Sequence, residues 1–111
     1  MKVYNLEDFF RGWFIGNFEP TLLKTPDFEV GLLTHSKGEF WHPHVHKIAD
    51  EYNLLIEGRM EICGQTIEKG QVFVIEKNTV ADPVFLEDCK VLVVKVPSVP
   101  GDKYNVTKEE K

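Results

Sequence analysis

The chain has 111 residues, the length of one domain with a single core. It is 42% hydrophobic and 28% charged, as ordinary globular proteins are, with eight Phe, two Trp and three Tyr as bulky core material. A net charge of −5 with scattered lysines argues against binding to a nucleic-acid backbone. No apolar run reaches the roughly 20 residues of a membrane span, and Met1-Lys2-Val3-Tyr4-Asn5 lacks the hydrophobic stretch of a signal peptide. A cytoplasmic location with no nucleic-acid or membrane partner is expected. Cys63 and Cys89 form no Cys-x-x-Cys pair and are expected as small buried hydrophobes.

In chain order, Leu6 to Phe10 is the one helical candidate, with Asn5 as N-cap and Asp8 three residues on. Short strands follow. Phe28–Thr34 is apolar and β-prone, and Phe40–His46 carries histidines. Tyr52–Glu57 ends at Gly58, and Arg59–Cys63 alternates polar and apolar residues. Gly64-Gln65 signals a hairpin into Thr66–Glu68, and Lys69-Gly70 turns into Gln71–Ile75. Val80–Leu86 and Val91–Val96 complete the set, the last with so few polar breaks that burial on both faces is expected. Many short strands with Gly, Pro and Asn turns predict an all-β sandwich or barrel. Residues 1–27 then form an N-terminal segment, 28–96 the barrel, and 97–111 an arm or tail.

The chemistry concentrates in Gly38 to Gly58. Of four histidines, His42, His44 and His46 alternate. On a strand such residues share a face, and neighbours two apart stand about 6.6 Å from each other. Glu51, at an odd offset, reaches that side only if Lys47-Ile48-Ala49-Asp50 turns. Two imidazoles and a carboxylate form the donor set of a metal site with open positions. Phe40 and Trp41 are expected on opposite faces. Asn53 shares Glu51's parity and is a candidate to hydrogen-bond a substrate. His35 has no partner in sequence and reads as an ordinary surface residue.

This segment resembles the first motif of the cupins, small double-stranded β-helix barrels of the jelly-roll type. Gly38, His44, His46, Glu51 and Gly58 satisfy every spacing of that motif. The resemblance spans about Phe28 to Val96 and implies an open barrel mouth holding a divalent metal (Fe, Mn, Ni or Zn) on His44, His46 and Glu51. The second motif fits in part. Gly70 is in place, Glu76 and Asn78 replace the usual Pro and Gly, and Ala81 stands where a fourth ligand belongs. Water, His42 and Asp82, in that order, are candidates for that role, and His42 is alternatively a group that orients a ligand.

A narrower similarity links Arg11-Gly12 and His44-Val45-His46-Lys47 to sugar-nucleotide ketoisomerase and epimerase cupins, which work without metal. There His44 or His46 would act as acid or base, a task suited to imidazole. Glu51 departs from the Gln those enzymes usually carry. Three functions are therefore expected to compete. One is a metal-dependent isomerase or dioxygenase acting on a sugar, keto acid or diketone. The others are a metal-free isomerase or epimerase and a ligand-binding module without turnover. Small cupins commonly pair, so a homodimer is expected, with Phe9–Phe18 as its contact.

Overall fold

Period-two alternation of apolar residues sets the frame of this molecule, seen here in a computed structural model in which residues 1–106 are described. Two 3-10 turns, Leu6–Asp8 and Phe10–Gly12, lead into the first strands, β1 (Trp13–Ile15), β2 (Glu29–His35) and β3 (His44–Val45). Then come β4 (Asp50–Glu57), β5 (Arg59–Ile62), β6 (Gln65–Glu68) and β7 (Val72–Ile75). β8 (Val84–Phe85), β9 (Cys89–Val96) and β10 (Tyr104–Asn105) finish the described chain. A five-stranded sheet has the order β1-β2-β9-β4-β7, a three-stranded sheet β6-β5-β8, and β10 pairs with β3. All strand pairs are antiparallel.

Residues directly opposite one another in a sheet share a face. One inner row of the large sheet is Glu29, Lys95, Glu51 and Ile75. The next is Trp13, Gly31, Val93, Asn53 and Phe73, followed by Leu33, Val91 and Leu55. The interior thus grades from charged at one end to aliphatic deeper in. Leu55, Val91, Val93 and Ile75 pack there against Met60, Ile62, Ile67 and Phe85 of the small sheet.

Two glycines are required by close approach. A Cβ on Gly31 would lie 2.6 Å from the Trp13 ring, so only glycine lets that ring lie against β2. Gly58, which closes the histidine motif, has φ +94°, and a Cβ there would meet the Asp88 carbonyl oxygen at 2.3 Å. A bulge at Ile56, between the pairs Leu55–Val91 and Glu57–Lys90, precedes it.

Several sequence expectations are corrected. The N-terminal helix is only the pair of 3-10 turns, with the Asn5 N–H donating to Asp8 Oδ2 at 3.3 Å. Residues 13–15, expected in a non-barrel segment, form edge strand β1. The histidine strand shortens to His44–Val45, and Val80–Leu86 shortens to Val84–Phe85 because Pro83 has no N–H to pair. The hairpin turns at Cys63-Gly64, with φ of +50° and +73°, and Cys63 is exposed there while Cys89 is buried. β9 is buried on its inner face only, its outer face being half-buried and ending in exposed Val96.

Residues 97–106, expected as an arm or tail, are stitched across the barrel mouth. The Ser98 N–H donates to Pro26 O, and Ser98 Oγ accepts from the Asn17 N–H. β10 then pairs with β3, and the Val106 N–H donates to Pro43 O. The rest of the expected tail, 107–111, lies outside the described residues.

Candidate functional site

The turn expected between His46 and Glu51 is present, and its cause lies far along the chain. Asp102, buried in the crossing segment, accepts from the backbone N–H groups of Lys47 (2.9 Å), Ile48 (3.1 Å) and Ala49 (2.9 Å). One carboxylate thereby ties down three consecutive donors and swings the chain from β3 into β4. Burial alone would raise the Asp102 pKa, but the three N–H donors outweigh it and hold it below the usual carboxylate range.

His44, His46, Glu51 and Asn53 line one cavity of about 400 Å³ at the charged end of the barrel. The His44 and His46 ring centroids are 5.4 Å apart, edge to face. His46 Nδ1 lies 3.5 Å from Glu51 Oε2. His44 Nδ1 lies 3.0 Å from the His42 carbonyl oxygen. A carbonyl only accepts, so Nδ1 carries the proton and Nε2 keeps its lone pair. Asn53 is buried and donates to the Glu51 backbone carbonyl at 3.4 Å.

The remaining sequence candidates fall elsewhere. The His42 side chain is exposed and packs edge-on against exposed Phe40. It does not line the cavity, and the contact from this residue to His44 is made by its main-chain carbonyl. Asp82 is exposed and accepts from the Cys63 N–H at 2.9 Å, pointing away from the cavity as strand parity dictates. Ala81 does face inward, exchanging two backbone hydrogen bonds with His44, so a methyl group occupies the position opposite that imidazole.

His35 is not an ordinary surface residue. Its ring stacks on Phe85 at 4.2 Å, and its Nδ1 lies 2.6 Å from Glu39 Oε2, which also accepts from Trp41 Nε1 at 2.6 Å. That network fixes Trp41 as a cavity wall while Phe40 faces solvent, the opposite facing expected of this pair.

Sequence reasoning missed Glu29, Lys95, Lys103 and Asp102, all of which line the cavity. Lys95 and Glu29 were legible by parity, because Lys95 continues the inward series Val91, Val93, and Glu29 the series Gly31, Leu33. Lys103 and Asp102 carried no local signal.

The electrostatics follow from burial. Desolvation, then the positive charge of Lys95 and the neighbouring His44, lowers the His46 pKa to about 4. Burial also lowers that of His44, against the opposing pull of the His42 carbonyl. Both rings are uncharged at neutral pH. Burial raises the Glu51 and Glu29 pKa values, and Lys95 opposes both shifts.

A pH dependence follows for the metal-free chain. His46 binds its proton more weakly when folded, so its stabilising contribution is complete above its ordinary pKa of 6.5 and is lost as pH falls toward about 4. Glu51, shifted up, has the opposite slope above its ordinary pKa of 4.5. Urea unfolding in chelator should therefore show His46 alone removing about 2 kcal/mol between pH 7 and 5. His46→Gln should lack that loss; a variant with the wild-type pH slope would contradict the assignment.

The donors suit a first-row divalent ion by type, as two uncharged imidazoles and a carboxylate, and by the tautomer of His44. Among the described residues no group of three His, Cys, Asp or Glu side chains is arranged to hold an ion as the side chains stand. The donors form two pairs that share His46.

The architecture is a double-stranded β-helix with its charged residues gathered at one mouth. It is the cupin fold, as comparison with solved structures shows. An uncharacterised conserved protein with a double-stranded β-helix domain from Klebsiella pneumoniae matches with a TM-score of 0.71 at 16% identity, over 99% of this chain and 93% of that one. KdgF from a Halomonas species matches at 0.61 and 26% identity, over 68% and 74%. An RmlC-like cupin from Desulfovibrio desulfuricans matches at 0.59 and 24%, over 68% and 77%. More distant matches include a pirin from Escherichia coli in complex with nickel(II), at 0.66 and 16%, over 79% and 39%. No family model and no curated protein matches the sequence. Among the described residues no helix is long and apolar enough to cross a membrane.

Proposed function

We propose that this chain is a small metal-dependent cupin acting on a small oxygen-bearing metabolite, as an isomerase or a dioxygenase-type enzyme. The observation that carries the reading is the donor arrangement at the mouth. The His44 tautomer is set by a backbone carbonyl, His46 is uncharged, and the Glu51 carboxylate lies 3.5 Å from His46. The nickel-bound pirin of the same fold supports it. His44, His46 and Glu51 would hold the ion, which when bound supplies a Lewis acid to polarise a substrate oxygen. The apolar floor around Val91, Val93 and Phe85 excludes water from the deep end. Asn53 is placed to hydrogen-bond a substrate oxygen with whatever capacity its bond to Glu51 leaves.

A second reading is favoured by the paired rather than enclosing donors and by the cationic side chains around them. Uncharged His46 can accept a proton and buried Glu51 can hold one, which is acid–base chemistry without metal. Elemental analysis of protein purified without an affinity tag decides between the two. Near-stoichiometric Fe, Mn, Ni or Zn, lost in Glu51→Gln, supports the first. Proton exchange into a keto sugar in deuterated water, undiminished by chelator, supports the second. Silence in both assays with a retained small molecule would leave a binding module.

The proposal includes a homodimer. Phe10 within Phe9–Phe18 is 70% exposed, and Tyr52 on β4 with Val72 and Val74 on edge strand β7 are exposed apolar residues of the large sheet. Sedimentation should show a dimer at micromolar concentration; a monomer would refute it.

A further inference from the structure

The cavity mouth holds three cations, Arg11, Lys95 and Lys103, brought together from the N-terminal turns, from β9 and from the crossing segment. Among the described residues none of them makes an ion pair within 4.0 Å. Each lies instead near an aromatic ring: Lys103 Nζ 3.9 Å from the Trp41 centroid, Lys95 Nζ 5.2 Å from Trp13, and the Arg11 guanidinium carbon 5.9 Å from Phe10. They also repel one another, since Lys95 and Arg11 both press the Lys103 pKa down, adding to the effect of burial. Clustered cations that no carboxylate contacts within 4.0 Å are stabilised when an anion enters between them.

The nearby acids do not remove that need. The Asp102 carboxylate is engaged by three backbone N–H groups. Glu29 is buried beside Ser98 and the Val99 N–H, and Glu51 lies against His46. With Glu29, Glu51 and Asp102 all ionised the three cations are balanced, so the site suits a singly charged carboxylate better than a doubly charged phosphate. The walls beside the cations are flat and apolar, from Trp13, Trp41 and Phe73, and the volume of about 400 Å³ is that of a small-metabolite pocket.

We infer that the substrate is a small carboxylic acid bearing further oxygen, a keto, hydroxy or sugar acid, with its carboxylate received between Lys95 and Lys103. This rests on the proposed function and narrows it, setting aside neutral sugars and diketones. Lys103 belongs to the segment that Asp102 pins down, so one face of the carboxylate site is built by residues 97–106. Arg11 closes the outer side.

Calorimetric titration of the chelator-treated protein with pyruvate, D-galacturonate, D-galactose and inorganic phosphate tests the inference. The two acids should bind, with galactose at least about tenfold weaker than galacturonate and affinity falling as salt is raised. Lys95→Met should weaken galacturonate binding roughly 10- to 100-fold. Lys103→Met, at an exposed position of the crossing segment, should weaken it about tenfold while leaving the circular dichroism unchanged. Neither substitution should weaken Mn(II) binding, measured separately, because each removes a positive charge from the mouth. Acid binding without metal binding would uphold this inference and remove the metal reading. Metal binding with no preference for acids would do the reverse. Equal affinity for galactose, tighter binding of phosphate, no binding of either acid, or wild-type affinity in both lysine variants would overturn the inference.

Discussion

Glu51→Gln and His46→Ala should each lower the affinity for Mn(II) and Ni(II) by roughly 100-fold or more, a larger loss than removal of a group that only orients a ligand. His42→Ala should leave it within about twofold, because only the main-chain carbonyl of His42 touches His44. The contrast separates side chains that sit within ten residues of one another in sequence. A carboxamide has nearly the shape of a carboxylate but not its charge, so Glu51→Gln isolates the donor chemistry. His46→Ala also opens a space beside buried Glu51, and its circular dichroism must match wild type for the comparison to count. Calorimetric metal titration provides the check. Equal losses in all three variants, or no loss in Glu51→Gln, would remove the assigned ligand set.

Asp102→Ala should destabilise the fold by about 3 kcal/mol and lower Tm by roughly 15 °C. Three backbone N–H groups lose a shared charged acceptor, and that of buried Ala49 has no water to replace it. The consequence reaches the site by two routes. The turn that delivers Glu51 beside His46 loosens, and the segment carrying Lys103 loses its anchor. Hydrogen exchange should therefore rise at residues 47–49 and 99–105 together, with the central strands β4 and β9 still protected. Asp102→Asn keeps one acceptor oxygen and should fall between Ala and wild type. A near-neutral Asp102→Ala would mean that the turn forms without it. Acid offers the same test in wild type: the stabilisation from Asp102 is present above its unfolded pKa, near 3.8, and disappears as pH falls through its lower folded value.

The parts of the site legible in sequence were the local ones. His44, His46 and Glu51 lie within eight residues, so strand parity and a single turn were enough to bring them to one side. Gly58 was legible as a motif position, and the structure supplies its reason in the approach of the Asp88 carbonyl. The long strands β2, β4 and β9 followed from apolar alternation. Where prolines interrupt, as at Pro43 and Pro83, the strands came out shorter than their apolar patterns suggested.

What was not legible depends on long-range docking. Asp102 is more than fifty residues from the turn it holds, and nothing in the composition of 97–111 distinguishes a docked crossing segment from a loose tail. Lys103 enters the cavity only because of that docking. Lys95 is a different case, since its parity with Val91 and Val93 points an ammonium inward. The flanking valines of Val91–Val96 mask that clue, because the run looks apolar on both faces. His35 was passed over because its partners, Phe85 and Glu39, meet it only through the sheet and the loop after it.

His44, His46 and Glu51 are expected to share one ion at the barrel mouth. The most direct measurement is anomalous diffraction from crystals of tag-free protein soaked in cobalt(II) or nickel(II), recorded at the metal's absorption edge. One strong peak within bonding distance of both imidazoles and the Glu51 carboxylate is the expected result. A peak placed elsewhere, such as on exposed His42, or an empty mouth under saturating metal, would contradict it.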